Sequence, residues 1–484
     1  MIGKVISTES DRVTARILLD DIESINMGDL LVIESKFKYL ARVSSISSRN
    51  IGEPSLPDKM AVITEKIKEM ESLFGSQFYY IAECGILGIL ENGIKPAKTI
   101  PRFLSMIRKA ESDDLEFLLK EGKNYITIGK LRNMDLPIKI DIESFITKHA
   151  GVFGKTGSGK SNTVKVILKE MIKHRIPSIV FDVHGEYGYK RGLGGMENVI
   201  VVGLPGSECD VSLTLPLQMI KPGDLRILTT LTEAQEDAVA IIYRRYGERW
   251  IEYLSQSRAE DIVSEFENRI QITTILSLQR KIDRIVNYEF IGRDFNSLNY
   301  IMDKIKQEKV IIIDFGDYEN DDWIIKLITS IISRFLLNRY KRYKKEGYKI
   351  KETLIVLEEA HKLLNVDTAK KTVFSDIVRE GRKFNLGLCI VDQMPHKIFE
   401  EVLAQLNTVI IMLLTNIKDR EHLILSSETD LSDFKKEMKR LDVGEAIITG
   451  VSVPFPIPVK IDLFKRETLR KENFDQFNFN DVNI

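Results

Sequence analysis

GVFGKTGSGKSNTVKVILKEMIKH, Gly151–His174, holds the spacing on which the fold turns. Gly154 is followed by four residues and then by Gly159, Lys160 and Ser161, a complete G-x-x-x-x-G-K-[ST] string. HAGVF before it is apolar, and the residues after it repeat their apolar positions at helical spacing. The string therefore reads as a strand, a phosphate loop and a helix. Glycines allow close backbone approach, while the loop N–H groups and the helix N-terminus supply donors to phosphate. The candidate nucleotide-binding residues are Gly154, Lys155, Thr156, Gly157, Ser158, Gly159, Lys160, Ser161 and Asn162. Lys160 would neutralise the β- and γ-phosphates and Ser161 would ligate Mg²⁺, so ATP and Mg²⁺ are the expected pair.

Outward from the loop, the apolar runs HAGVF, SIVFDV, VIIIDF, TLIVLEE, LGLCIV and TVIIMLL alternate with helical patterns. That alternation predicts an α/β core with a mostly parallel sheet covered on both faces. The core is expected over residues 137–223 and 301–465, with a charged helical insertion over 224–300 between its parts. LDVGEAIITG and PFPIPVKIDLF read as late strands. Residues 1–95 show short, closely spaced strands, the pattern of a small β-barrel. A charged helical stretch, Asp58–Leu73, interrupts them. Residues 96–136 read as a connector and a leading strand. The Asn-rich tail, 466–484, is expected either to fray or to dock as an arm on a neighbouring subunit.

The bulk composition narrows the partners. Among 484 residues the formal net charge is -1, so a polyanion must be met by local basic surface rather than a global field. Cys84, Cys209 and Cys389 are far apart and form no CxxC pair, which argues against a disulfide framework or zinc site and for a reducing, cytoplasmic setting. The histidines have no metal-ligand spacing. No charge-free run of about 18 apolar residues occurs, so no membrane span is expected.

Two apolar runs compete for the metal side of the site: VIIIDFGD, ending at Asp314, and TLIVLEEAH, ending at Glu358 and Glu359. Only the second ends in adjacent carboxylates that divide two jobs. Glu358 would hold Mg²⁺, and Glu359 would orient the attacking water. LGLCIVDQMP places Gln393 at the end of another apolar strand, where an amide can sense the γ-phosphate. Arg379 and Arg382 lie three residues apart on a predicted helix and share a face. Alone they read as a solvated basic face; arginines entering from a neighbouring subunit stabilise phosphoryl transfer.

IPRF, ITIGKL, GKTGSGKSNT, FDVHGEY, LEEAHKLL, REGRKFNLGL and LDVGEAIITG follow one another in this order. Together they closely resemble the HerA branch of the HerA/FtsK DNA-pumping ATPases, found mostly in archaea. The resemblance implies a RecA-like P-loop ATPase core with an N-terminal HAS-type barrel. It implies a homo-hexamer that hydrolyses ATP between subunits, pulls double-stranded DNA through a central channel, and works with a NurA-type nuclease in end resection and break repair. Lys160, Ser161, Glu358, Glu359 and Gln393 fall on the family's phosphate, metal, catalytic and sensor positions. The REGR match makes Arg382, ahead of Arg379, the trans-acting finger. One departure stands out: the family usually reads SQRP where this chain reads DQMP, Asp392–Pro395. His184, in the HGEY turn, receives no chemical role. Lys362, Lys370, Lys371, His396 and Lys397 are candidates for gripping a phosphate backbone, although a lysine pair is ordinarily a solvated helix face.

Two other readings remain. One is a related ring ATPase moving single-stranded DNA or protein, as in secretion or conjugation. The other is a nucleotide switch without translocation. Against the switch, NIKD at Asn416–Asp419 has the wrong order for a guanine-reading NKxD, and no LSGGQ-like segment occurs.

Overall fold

The structure is a computed structural model that describes residues 1–18, 23–50, 78–119, 122, 124–292 and 296–466. The stretch Asp58–Leu73 and residues 467–484 of the expected C-terminal arm lie outside the described residues.

The N-terminal strands are β1 (Gly3–Thr8), β2 (Arg12–Ile17), β3 (Leu30–Glu34), β4 (Lys38–Asn50), β5 (Phe78–Leu90), β6 (Ile94–Lys95) and β7 (Met106–Lys109). Their order is β2-β1-β7-β3-β4-β5-β6, and β2 also pairs with β5, which closes six of them into a barrel. Closure leaves no free edge in the ring. Strand alternation turns Val5, Val13, Ala15, Ile33, Val43, Ala82 and Ile107 inward as its core. The segment 96–136 gives a strand to each sheet: β7 completes the barrel, and β8 (Tyr125–Leu131) joins the second sheet.

The second sheet continues with β9 (Pro137–Asp141), β10 (Ala150–Phe153), β11 (Ser178–Asp182), β12 (Val199–Gly203), β13 (Val211–Ser212) and β14 (Val310–Asp314). Next come β15 (Thr353–Glu358), β16 (Leu386–Asp392), β17 (Thr408–Ile411), β18 (Glu445–Gly450) and β19 (Ile457–Ile461). It has 12 strands in the order β13-β12-β14-β11-β15-β16-β10-β17-β18-β19-β8-β9. From β13 to β17 neighbours run parallel, with helical segments making most of the crossovers. The last four strands are antiparallel, because short turns suffice to link β18 to β19 and β8 to β9.

The parallel strands are apolar on both faces, as a twice-covered sheet requires. Val180, Ile312 and Val356 pack with Val164, Ile167, Leu168 and Met171 of the helix Lys160–Lys173. Ile179, Phe181, Ile311, Ile313 and Leu357 turn to the opposite face, against Ile324, Ile328 and Ile331 of the helix Asp322–Glu346. Asp321 caps that helix by accepting from the N–H groups of Trp323 and Ile324, and Gly347, at φ 77°, ends it. The insertion folds as helices Pro222–Leu228, Glu233–Tyr246, Trp250–Gln256, Ala259–Glu265 and Ile272–Val286. They bury Trp250, Leu254, Leu278 and Ile282 in that same core.

Barrel and core meet through buried charge. Glu437, in the segment before β18, contacts both Arg42 of β4 and Arg132 just beyond β8. The Arg42 guanidinium also lies 3.7 Å from the centre of the Phe434 ring. Among the described residues, no helix is long and apolar enough to cross a membrane.

Candidate active site

The strand order does most of the assembly. β14, β11, β15, β16 and β10 lie side by side and parallel, so their carboxyl ends form one edge. Along that edge stand Asp314, Asp182, Glu358, Asp392 and the loop after Phe153. Register holds them level: Asp182 pairs with Asp314, Glu358 with Val391, and Phe153 with Asp392. This is the crevice where open α/β sheets bind ligands.

The loop itself needs its glycines. A Cβ on Gly154 would sit 2.6 Å from Ser158 Oγ and 2.8 Å from Met412 Cβ. Gly159 caps the helix at φ 109°, in the left-handed region that disfavours side chains. The first N–H groups of a helix have no partner within it, so those after Gly159 are available to an anion. Lys160 Nζ folds back to donate to the carbonyls of Gly154 (2.8 Å) and Lys155 (3.2 Å). Burial lowers its proton affinity, while Glu359, Asp392 and Glu358 act to hold it up. Gln393 reaches the same loop, accepting from the Thr156 hydroxyl at 2.6 Å. Asn162 is used differently. Its amide donates to Asp462 O and accepts from Phe464 N–H, both at 2.8 Å, and so pins the segment after β19. Ser158 O accepts from Gly444 N–H at 3.0 Å, which ties the LDVGEA turn to the loop.

The two adjacent glutamates live in different environments. Glu358 is buried, and among the described residues no ion pair neutralises it. Burial, then the charge of Asp182, pushes its carboxyl up. Glu359 adopts φ 50°, ψ 42°, a left-handed backbone that costs a non-glycine residue about 1–2 kcal/mol. Burial acts to raise its carboxyl, but His184, His361 and Lys362 hold it below its ordinary value. Two titratable neighbours pushed apart in this way are suited to separate roles.

His184 now has a place. Asp182 accepts from the N–H groups of Glu186 (2.8 Å), Tyr187 (2.8 Å) and Gly188 (3.0 Å), so the HGEY turn wraps round a buried carboxylate. The turn sets His184 Nε2 3.7 Å from Glu359 Oε1 and points its N–H at Glu358, 3.4 Å away. An aspartate at a strand end followed by a glycine turn was the available signal for this arrangement. His361 flanks Glu359 on the other side, its Nδ1 3.5 Å from Oε2.

The donor set fits a polyphosphate with a divalent cation. The loop presents donors at a helix N-terminus, and Glu358 is a buried oxygen donor with no ion pair among the described residues. Ser161 and Glu358 would hold the cation, and the cation would neutralise charge on the phosphates. A prediction follows. Burial holds protons on Asp182 and Glu358 to higher pH than in the unfolded chain. The folded state then binds more protons than the unfolded one, so stability falls as pH rises through neutrality. The thermal midpoint of the free chain should therefore fall progressively from about pH 4.5 and level off by about pH 8, and Mg²⁺ with nucleotide should flatten that fall.

Arg379 and Arg382 are far from this edge. The helix carrying Arg379 ends at Glu380, and Arg382 sits on the following 3₁₀ turn, Gly381–Phe384, so the shared helix face expected from their spacing is not formed. Both are exposed, and Arg379 pairs with Glu401 at 3.6 Å. They precede β16, whose 7 residues span roughly 23 Å before Gln393. Neither arginine reaches the phosphate loop of its own chain. Of the other basic candidates, Lys362 is tied to Asp322 at 3.0 Å and His396 to Asp419, while Lys370 and Lys371 are exposed.

Comparison with known proteins agrees with this architecture. The family described as Helicase HerA, central domain, matches residues 126–336. The DNA double-strand break repair helicase HerA of Sulfurisphaera tokodaii is 28% identical over 96% of this chain and 93% of its own length. That of Saccharolobus solfataricus is 29% identical over 92% and 89%, respectively. Among solved structures, the bacterial conjugative coupling protein TrwB aligns at TM-score 0.52 and 12% identity, over 74% of this chain and 93% of its own. VirB4 of Thermoanaerobacter pseudethanolicus aligns at 0.51 and 17%, over 71% and 98%. At those identities the two structures speak for the fold, a P-loop core with its site at the carboxyl edge. With the central-domain model matched over residues 126–336 and relatives aligned along nearly the whole chain, the protein is similar to the HerA-type helicases and is an ATP-hydrolysing enzyme.

Proposed function

We propose that this chain converts ATP hydrolysis into movement along double-stranded DNA, as a homo-hexamer serving break repair with a NurA-type nuclease in the cytoplasm. One observation carries the reading. Lys160, Glu358, Glu359 and Gln393 converge on the phosphate loop, while Arg379 and Arg382 stand at the far end of β16, away from the loop of their own chain, which supports a role toward a neighbouring copy. ATP with Mg²⁺ is the cofactor pair; TrwB, of like fold, has been solved with ADP and Mg²⁺. Lys160 neutralises the terminal phosphates, Ser161 and Glu358 hold the cation, Glu359 orients water, and Gln393 reports the γ-phosphate through its bond to Thr156. Arg382 from the next subunit stabilises the transferring group. Hydrolysis then loosens the joint between two copies, and surfaces facing the channel shift against the DNA backbone.

The relatives named as break-repair helicases support duplex DNA as the track. The test compares steady-state ATPase rates with blunt duplex and with single strands. Duplex should stimulate severalfold more. Equal stimulation, or preference for single strands, would move the chain to the conjugation-type class, and indifference to DNA would make it a switch.

A further inference from the structure

One buried carboxylate at the site edge has no task in the chemistry above. Asp392 ends β16 and is fully buried. Its Oδ2 accepts from the backbone N–H of His361 at 2.7 Å and lies 2.9 Å from His361 Nδ1. Its Oδ1 accepts from Met394 N–H at 2.7 Å. Its backbone carbonyl accepts from the N–H of Gly154, the first residue of the phosphate loop, at 3.3 Å. One residue thus touches all three walls of the site: the carboxylate turn, the sensor loop and the phosphate loop.

We propose that Asp392 and His361 form a positioning pair that sets the direction of the Glu359 carboxylate and locks it to the sensor Gln393. The pair acts through rigidity. Asp392 holds the His361 ring by Nδ1, and that nitrogen is also 3.5 Å from Glu359 Oε2. The same carboxylate grips the His361 backbone two residues beyond Glu359, whose left-handed φ of 50° must be sustained by its surroundings. Through Met394 N–H it fixes the start of the loop that carries Gln393, the partner of Thr156. A hydroxyl at this place would offer one oxygen with two lone pairs, too few for the His361 N–H, the His361 ring and the Met394 N–H together. The carboxylate is therefore a strut between the water-orienting and phosphate-sensing side chains. Neither Asp392 nor His361 needs to touch nucleotide.

The inference rests on reading Glu359 as the water-orienting group, and the experiment separates the two. Asp392→Ser, Asp392→Asn, His361→Gln and the Asp392→Ser/His361→Gln double variant are assayed beside Glu359→Gln for kcat, KM for ATP, affinity for a fluorescent ATP analogue, and thermal midpoint. Asp392→Asn keeps the shape and one acceptor, so it covers the case in which Asp392→Ser does not fold. The expected result is a fall in kcat of about 10–100-fold in Asp392→Ser and His361→Gln, because slight misplacement of a reacting group has that cost. KM and analogue affinity should stay within about twofold, and the double variant should be no slower than the worse single one, as for coupled residues. Wild-type kcat in the single variants overturns the pair. So does a kcat loss matched by equal losses of affinity and thermal midpoint, which a merely structural carboxylate would give. If Glu359→Gln is inert while the Asp392 and His361 variants run at full rate, the strut alone fails. If Glu359→Gln itself hydrolyses normally, the assignment of Glu359 fails and the strut with it.

Discussion

Replacing Glu359 by Gln is expected to reduce kcat by about 10²–10⁴-fold, the usual contribution of a positioned general base, with ATP still bound. The amide keeps the size of the side chain but accepts a proton poorly. Glu359 is the suited residue because its environment keeps it ionised: His184 Nε2 stands 3.7 Å from one oxygen and His361 Nδ1 3.5 Å from the other. Glu358, buried and with no ion pair among the described residues, is suited to hold a cation, whose charge would offset the burial that pushes its carboxyl up. Removing Glu358 should therefore lower Mg²⁺-dependent affinity as well as rate, whereas Glu359→Gln should trap ATP. Equilibrium binding of a labelled nucleotide, set beside single-turnover hydrolysis, reads the difference. Hydrolysis by Glu359→Gln at near wild-type speed would return the catalytic role to Glu358 or Asp314.

The second large effect concerns stability. Glu437 is 3% exposed and Arg42 2%, and Arg132 completes the cluster between barrel and core. Breaking a buried pair by removing one partner leaves an uncompensated charge and costs about 3–5 kcal/mol. Glu437→Ala strands two arginines at once, so it belongs at the upper end of that range. Glu437→Gln, which keeps some hydrogen bonding, should cost less. Chemical unfolding checks both, and limited proteolysis should show the barrel released first. A change under about 1 kcal/mol in Glu437→Ala would mean that water already reaches the cluster. The segment is also linked to the phosphate loop, since Gly444, seven residues on, donates to Ser158 O there at 3.0 Å. Nucleotide should therefore protect the barrel junction in the wild type.

What the sequence disclosed divides along local and non-local lines. The phosphate loop was legible because its chemistry lies in eight consecutive residues flanked by a strand and a helix. The preference for Glu358 and Glu359 over Asp314 rests on their adjacency, and the structure sets all three along one sheet edge. The barrel was legible from short strands, but its closing strand β7 was not, since four residues among turns carry little periodicity. β12 also escaped notice, being five residues behind a glycine-rich turn. The antiparallel extension β18-β19-β8-β9 joins residues more than 300 apart in sequence, and pairings of that kind leave no local trace. His184, His361 and Asp392 show the same limit. Each looks like an ordinary turn or strand-end residue, and its role exists only because β11, β15 and β16 lie side by side. The pair Arg379 and Arg382 shows the opposite error, where spacing suggested a continuous helix face and the helix stopped at Glu380.

The central claim is that the site is divided between copies, with the phosphate loop and glutamates from one and Arg382 from the next. Mixing two inactive variants tests it most directly. Arg382→Ala and Glu359→Gln chains, each unable to hydrolyse ATP, are combined over a range of ratios under conditions that allow exchange of subunits. A shared site predicts that activity returns and peaks near equal amounts, where about one joint in four pairs an intact glutamate with an intact arginine. No recovery at any ratio, or full activity in an isolated single chain, would contradict it.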